Sequence, residues 1–204
     1  MKIIICPGIH DRALTESFLQ KLELPAPALI FPASGYSPVS AVRVWQFLRD
    51  NIGEPGRESF ASGDTHPCHA RERHDRVGAP GRDAIISICF SAGVVGAIGA
   101  AWQWQMWGGK VKACFALDGW GVPLLGNFPI HRLSHDYFTH WSSRLLGTGE
   151  DSFYANPPVA HLELWREPDT VSGWWQLPDG NAQRTTASEF LTTLLQRYCT
   201  NHCQ

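Results

Sequence analysis

Short apolar runs alternate with helical patterns along most of the chain. Runs rich in branched apolar residues predict strands that are buried on both faces of a parallel sheet. The clearest runs are Lys2–Cys6, Ala28–Phe31, Ala84–Phe90 and Lys110–Leu117. Weaker strand patterns are Pro129–Ser134 and His161–Trp165. Helical spacing of apolar residues predicts helices capped by Thr15, beginning near Val39, and spanning Ser91–Trp107 and Thr185–Tyr198.

This alternation predicts an α/β fold, in which a mostly parallel sheet lies between two layers of helices as a three-layer sandwich. A length of 204 residues, 44% of them hydrophobic, fits one domain over residues 1–204. Residues 51–82 differ, because they are rich in Gly, Pro, Arg, Asp and His and contain almost no apolar side chains. Such a segment buries too little surface to offset its ordering entropy, so we expect a flexible exposed loop.

Several possible metal ligands occur in this loop and at the C-terminus. They are His66, Cys68, His69, His74, Cys199, His202 and Cys203. Because none of them has the CxxC spacing of a zinc site, we expect solvated side chains and no metal.

Charge and cysteine usage exclude some partners. The formal net charge of −2 gives no basic excess for binding phosphates, so a nucleic-acid partner is not expected. The uncharged stretch 84–109 is long enough to cross a bilayer, but it contains several glycines and polar residues and no second such stretch follows, so we expect no membrane span. The N-terminus lacks the features of a signal peptide, and Cys6, Cys89 and Cys114 lie in predicted strands. Reduced thiols and a cytoplasmic location are therefore expected.

A serine lies where the third predicted strand turns into a helix. The sequence there is Cys89-Phe90-Ser91-Ala92-Gly93. It resembles the nucleophile elbow G-x-S-x-G of the α/β-hydrolases, with Gly93 at the second glycine position and Cys89 in place of the first. The resemblance implies that Ser91 is a nucleophile at the C-terminal end of a parallel strand, where ligands bind in open sheets. The alternative is a serine that only caps the following helix.

The segment Cys6-Pro7-Gly8-Ile9-His10, after the first strand, resembles the oxyanion loop of the same family, with Pro7 in place of the usual histidine. The resemblance implies that the N–H groups of Ile9 and Ala92 stabilise an oxyanion. The order of elements is similar to that of small lidless bacterial lipases, which implies a small-molecule carboxylic ester or thioester substrate and no metal or organic cofactor. His10 lies at the same end of the sheet, so we expect it to border the cleft.

An activated serine needs a base within reach and an acid that orients the base. Candidates follow the fourth and fifth predicted strands. They are Asp118, His135, Asp136 and His140. The resemblance favours Asp136 as the acid, because the family usually places it after the equivalent of the fifth strand. Asp118 is the alternative, which some lipases use. If the residues after Asp136 are helical, Asp136 and His140 lie on one face.

The base of the family normally follows the last strand of the sheet. The last predicted strand here is His161–Trp165, which no histidine follows at the expected place, and His161 lies at its beginning. His135 and His140 are therefore alternative bases, with His161 a weaker third. The missing late histidine also supports a second hypothesis, a non-catalytic hydrolase-like binding or scaffold protein. The oligomeric state does not follow from the sequence.

Overall fold

The computed structural model describes residues 1–55, 84–147 and 150–200, through which one eight-stranded sheet runs. Its strands are β1 (Lys2–Cys6), β2 (Ala28–Ile30), β3 (Ala84–Phe90), β4 (Lys110–Leu117), β5 (Ile130–Ser134), β6 (Ser152–Ala155), β7 (Ser172–Gln176) and β8 (Ala182–Thr186). Across the sheet the order is β2-β1-β3-β4-β5-β6-β7-β8. Strands β1 to β6 are parallel, and β7 and β8 extend the β6 edge in antiparallel pairing. The expected α/β class with a mostly parallel sheet is confirmed.

Helices cover both faces of this sheet. They are α1 (Arg12–Gln20), α2 (Ala41–Ile52), α3 (Ala92–Met106), α4 (Tyr137–Arg144), α5 (His161–Arg166) and α6 (Ala187–Thr200). Side chains of α1, α5 and α6 form one buried cluster with one face of the sheet, and side chains of α2 and α3 form a second cluster with the other face. The alternation along β1 shows why, since Ile3 and Ile5 belong to the first cluster and Ile4 and Cys6 to the second.

Helix α3 lies unusually close to the elements around it. A Cβ added at Gly93 would lie 2.2 Å from the carbonyl oxygen of Cys6, and one added at Gly96 would lie 2.2 Å from that of Pro38. Since both obstacles are backbone atoms, only glycine fits at these two positions without a shift of the chain. The apolar, small-residue sequence after β3 therefore packs as a buried helix.

Strands β1, β3 and β4 have the predicted bounds, whereas Thr15 does not cap α1 as predicted. The helix begins at Arg12, and the Asp11 carboxylate accepts a hydrogen bond from the N–H of Ala13 at 2.8 Å. The predicted closing helix also began too early, because Thr185 belongs to β8.

The largest error concerns His161–Trp165, which is a helix and not a strand. Its alternating sequence has period two, but only its last two residues, Leu164 and Trp165, are buried. The Glu163 carboxylate accepts a hydrogen bond from the N–H of Ala160 at 3.3 Å and so favours a helix start. The parallel strand of this region is the four-residue β6, which is too short to give a period-two signal, and β7 and β8 were missed as well.

The predicted loop over 51–82 begins too early by two residues, because α2 continues to Ile52. Residues 56–83, with His66, Cys68, His69 and His74, lie outside the described residues, as do His202 and Cys203. Within the described part of the chain, no helix is both long and apolar enough to cross a membrane.

Candidate functional site

Ser91 lies in a strained turn between β3 and α3. Its backbone has φ 51° and ψ −120°, a conformation that residues with a side chain rarely adopt. Its N–H donates a hydrogen bond to the carbonyl oxygen of Leu117 at 2.9 Å, which ties the turn to the end of β4. The Ser91 side chain makes no capping hydrogen bond to α3, so the interpretation of this residue as a simple helix cap is wrong.

The loop after β1 packs directly against this turn. A Cβ added at Gly8 would lie 3.1 Å from the Cβ of Ser91, and the Cβ of any residue in place of Gly93 would collide with the end of β1. Cys89, which occupies the place of the first elbow glycine, is fully buried in the core on the α2–α3 side. The side chain at this position is therefore part of the hydrophobic core.

The two predicted oxyanion donors, Ile9 and Ala92, are the residues that follow Gly8 and Ser91 in the chain. Ala92 is the first residue of α3, and the N–H groups of a first helical turn have no acceptor within their own helix. Ile9 is the neighbour of Gly8 in the loop that touches Ser91, and its side chain is 81% exposed. Both N–H groups thus belong to backbone adjacent to the Ser91 turn.

Asp118 follows β4 and is the centre of a polar cluster. Its carboxylate is 1% exposed and accepts three hydrogen bonds. The backbone N–H of His135 donates to Oδ1 at 2.9 Å, and the Nδ1–H groups of His135 and His161 donate to Oδ2 at 2.9 and 2.8 Å. Burial by itself raises the pKa of Asp118, but these hydrogen bonds outweigh it and lower the pKa below its usual value. Asp118 is therefore an ionised acceptor at neutral pH.

His161 is the residue that connects Asp118 to the serine turn. Its ring stacks on the ring of Phe90, the residue before Ser91, with ring centroids 4.7 Å apart. Its Nδ1 is bonded to Asp118, while its Nε2 has no hydrogen-bond partner among the described residues, and the side chain is 42% exposed. Because β6 ends at Ala155, His161 follows the last parallel strand after a short connection. The sequence pattern missed this position because it placed the strand on His161 itself.

His135 and Asp136 belong to the same cluster but differ in their contacts. The Nδ1 of His135 is bonded to Asp118, and its Nε2 lies 3.4 Å from Oδ2 of Asp136. The other carboxylate oxygen of Asp136 accepts the N–H of Thr139 at 2.6 Å and caps α4. The hydrogen bond to Asp118 raises the pKa of His135, burial opposes this, and the charges of Asp118 and Asp136 add to the rise. Both ring nitrogens of His135 thus face carboxylates.

His140, the other predicted base, lies elsewhere. It is 1% exposed on the buried side of α4, where its Nε2–H donates to Oε1 of Gln176 at 3.0 Å and its ring packs 5.1 Å from that of Tyr154. Within the described residues, no hydrogen bond or ring contact joins it to Asp118 or His161. Burial lowers the pKa of His140. The structure thus brings Asp118, His135 and Asp136 together and leaves His140 outside.

His10 packs beside Phe90, the residue that precedes Ser91. Its ring contacts the edges of Phe90 and Trp165, at centroid distances of 5.5 and 5.9 Å, and its Nε2 shares a hydrogen bond with the Thr15 hydroxyl at 3.0 Å. Burial lowers the pKa of His10, and the nearby charge of His161 lowers it further. His10 and His161 therefore contact the same phenylalanine.

The cluster also contains atoms that a metal ion could bind. Asp118, His135 and His161 each offer one ligand atom within 4.8 Å of those of the other two. Oδ2 of Asp118 lies 2.9 and 2.8 Å from the Nδ1 atoms of His135 and His161, which are hydrogen-bond distances. Two ligand atoms on one tetrahedral zinc ion, each bonded at about 2.0–2.2 Å, would lie roughly 3.3–3.6 Å apart, and both Nδ1 protons would be displaced. Hydrogen bonding alone therefore accounts for the positions of the three side chains.

Comparison with models of known protein families finds none that matches this chain, and comparison with curated proteins finds no match either.

Proposed function

We propose that this protein is a serine hydrolase of the α/β-hydrolase type that cleaves a small-molecule carboxylic ester or thioester, with Ser91 as nucleophile, His161 as base and Asp118 as acid. The observation that supports this most is the strained backbone of Ser91. A non-glycine residue in such a conformation costs about 1–3 kcal/mol, and strain of this kind concentrates at functional sites. The Ser91 side chain makes no capping hydrogen bond to α3, so helix capping does not account for the strained conformation.

The first half of the reaction forms an acyl-enzyme. His161 Nε2 accepts the proton of Ser91 Oγ as that oxygen attacks the substrate carbonyl carbon, and Asp118 stabilises the resulting imidazolium through Nδ1. The N–H groups of Ala92 and Ile9 donate to the oxyanion of the tetrahedral intermediate. His161 then gives its proton to the departing alcohol or thiol. In the second half, water attacks the acyl-enzyme with the same base, releases the carboxylic acid and restores Ser91.

Three observations favour His161 over His135 as the base. The ring of His161 stacks on Phe90, next to Ser91, whereas both nitrogens of His135 face carboxylates. The Nε2 of His161 has no hydrogen-bond partner among the described residues, so it can accept the proton of the Ser91 hydroxyl. His161 also follows β6, the last of the parallel strands, and such strands bring their C-terminal ends to the same edge of the sheet as the end of β3, where Ser91 lies.

Covalent labelling with a fluorophosphonate tests the proposal. We expect the wild type to be labelled, with the adduct on Ser91 by peptide mass spectrometry, and Ser91→Ala to be spared. Asp118→Asn and His161→Gln should slow labelling by about a hundredfold or more, since each removes part of the base. His140→Gln is the matched control, because glutamine keeps an N–H donor for Gln176, and it should be labelled at the wild-type rate.

Equal labelling of the wild type and Ser91→Ala would refute the proposal, and it would favour the non-catalytic binding or scaffold protein instead. Slow labelling of His140→Gln combined with normal labelling of His161→Gln would identify His140, in α4, as the base. Hydrolysis of p-nitrophenyl acetate and of an acyl thioester by the same variants then determines which acyl bond is cleaved faster.

A further inference from the structure

Asp118 accepts hydrogen bonds from the imidazoles of His135 and His161. Of these two, His161 stacks on the ring of Phe90, the residue before Ser91. We propose that His135 is a positioning residue, which fixes the Asp118 carboxylate so that its Oδ2 can orient His161. This inference rests on the proposed function and adds a fourth side chain to its machinery.

The geometry of the carboxylate supports this role. His135 donates to both oxygens of Asp118, from its backbone N–H to Oδ1 and from its Nδ1–H to Oδ2, each at 2.9 Å. Two hydrogen bonds from one residue prevent the carboxylate from rotating about its Cβ–Cγ bond. The backbone of Asp118 is fixed as well, because its N–H donates to the carbonyl oxygen of Leu133 at 2.8 Å and its φ is 50°. The acid at the end of β4 is thus held by the residue that follows β5.

His135 is itself oriented by a further carboxylate. Its Nε2 lies 3.4 Å from Oδ2 of Asp136, and Oδ1 of Asp136 is bonded to the N-terminal turn of α4. The start of α4 is therefore linked through Asp136 and His135 to Asp118, and from there to His161. A position between two carboxylates favours the protonated form of His135, in agreement with its raised pKa.

This arrangement leaves His135 unsuited to be the base and suited to fix the acid. A base must lose and regain a proton in each turnover, whereas His135 is held by acceptors on both ring nitrogens. Within residues 1–55, 84–147 and 150–200, His161 has an acceptor on Nδ1 and none on Nε2. In the proposed mechanism, His135 therefore orients the Asp118 carboxylate, and His161 transfers the proton.

The test is the hydrolysis of p-nitrophenyl acetate by His135→Ala and His135→Asn, normalised to active sites by fluorophosphonate titration. We expect His135→Ala to lower kcat by about ten- to a hundredfold with KM changed less than about twofold, as is typical when a supporting hydrogen bond of a catalytic group is lost. The side-chain amide of Asn can donate from nearly the position of Nδ1, so His135→Asn should recover most of kcat. His140→Gln again serves as the control with normal kcat.

A second readout does not depend on turnover. Nδ1–H groups bonded to a buried carboxylate give downfield proton resonances in NMR spectra, so we expect two in the wild type, one in His135→Asn and neither in Asp118→Asn. The positioning role would be overturned by an unchanged kcat per active site in His135→Ala. It would also be overturned if His135→Asn lost as much kcat as His135→Ala. Failure of the proposed function is distinguishable, because then the wild type itself is neither labelled nor active.

Discussion

The strain at Ser91 makes a prediction that separates stability from activity. Replacing Ser91 by Ala removes the hydroxyl and keeps a Cβ in the unfavourable conformation with φ 51°. Replacing it by Gly removes the hydroxyl and also the steric conflict. The two variants are therefore both expected to be inactive, but Ser91→Gly should be the more stable.

The magnitude follows from two opposing terms. Relief of the strain gains about 1–3 kcal/mol, and the greater freedom of glycine in the unfolded chain costs about 0.4–1 kcal/mol. The net expectation is that Ser91→Gly exceeds Ser91→Ala by about 1 kcal/mol in the free energy of unfolding. For a chain of this length that corresponds to about 2–4 °C in Tm.

Urea denaturation of both variants, followed by tryptophan fluorescence and circular dichroism, measures this difference. Ala13→Gly is a suitable control, because Ala13 is exposed in the regular backbone of α1, where glycine should cost about 0.5–1 kcal/mol. The reasoning is refuted if Ser91→Gly is less stable than Ser91→Ala by an amount similar to the loss in the control. In that case the conformation of Ser91 stores no strain, and the main support for a nucleophile is lost.

Two further predictions concern the frame of the site. Gly93→Ala should destabilise the fold by about 1–3 kcal/mol, because the new Cβ would meet the Cys6 carbonyl oxygen. Urea denaturation measures this loss, and a change below about 0.5 kcal/mol would contradict the close approach of α3 to β1. Burial lowers the pKa of His131 to about 4 from 6.5, so the unfolded chain binds more protons than the folded chain between these pH values. Roughly 3 kcal/mol of stability should therefore be lost as the pH falls through that window. His131→Gln, which keeps a donor for Tyr198, should lose that part of the pH dependence of stability, and an unchanged slope would contradict the burial of a neutral imidazole.

Much of the central sheet could be predicted because its signal is local. Strands such as Ala84–Phe90 and Lys110–Leu117 consist of consecutive apolar residues, and a strand buried on both faces needs nothing else. The position of Ser91 followed for the same reason, since small residues at the end of such a strand indicate a tight turn into a helix. The local sequence also indicated that the loop after β1 lies at the same sheet end.

The edge of the sheet beyond β5 was not predictable in this way. Strand β6 has only four residues, β8 is largely exposed, and α5 begins with a sequence that alternates like a strand. Their conformations depend on partners that are distant in the chain. The error bears on the proposed function, because it placed the last parallel strand on His161 itself, which is the histidine that follows β6.

The sequence by itself therefore determined the class of fold and the residue in the strained turn, because both depend on neighbours within a few positions. Only the tertiary structure decided which acid and which histidines meet. Asp118 is bonded to His135 and to His161, which are 17 and 43 residues away in the chain. Such contacts arise because parallel strands bring their C-terminal ends to one edge of the sheet, and no local periodicity records which side chains meet there.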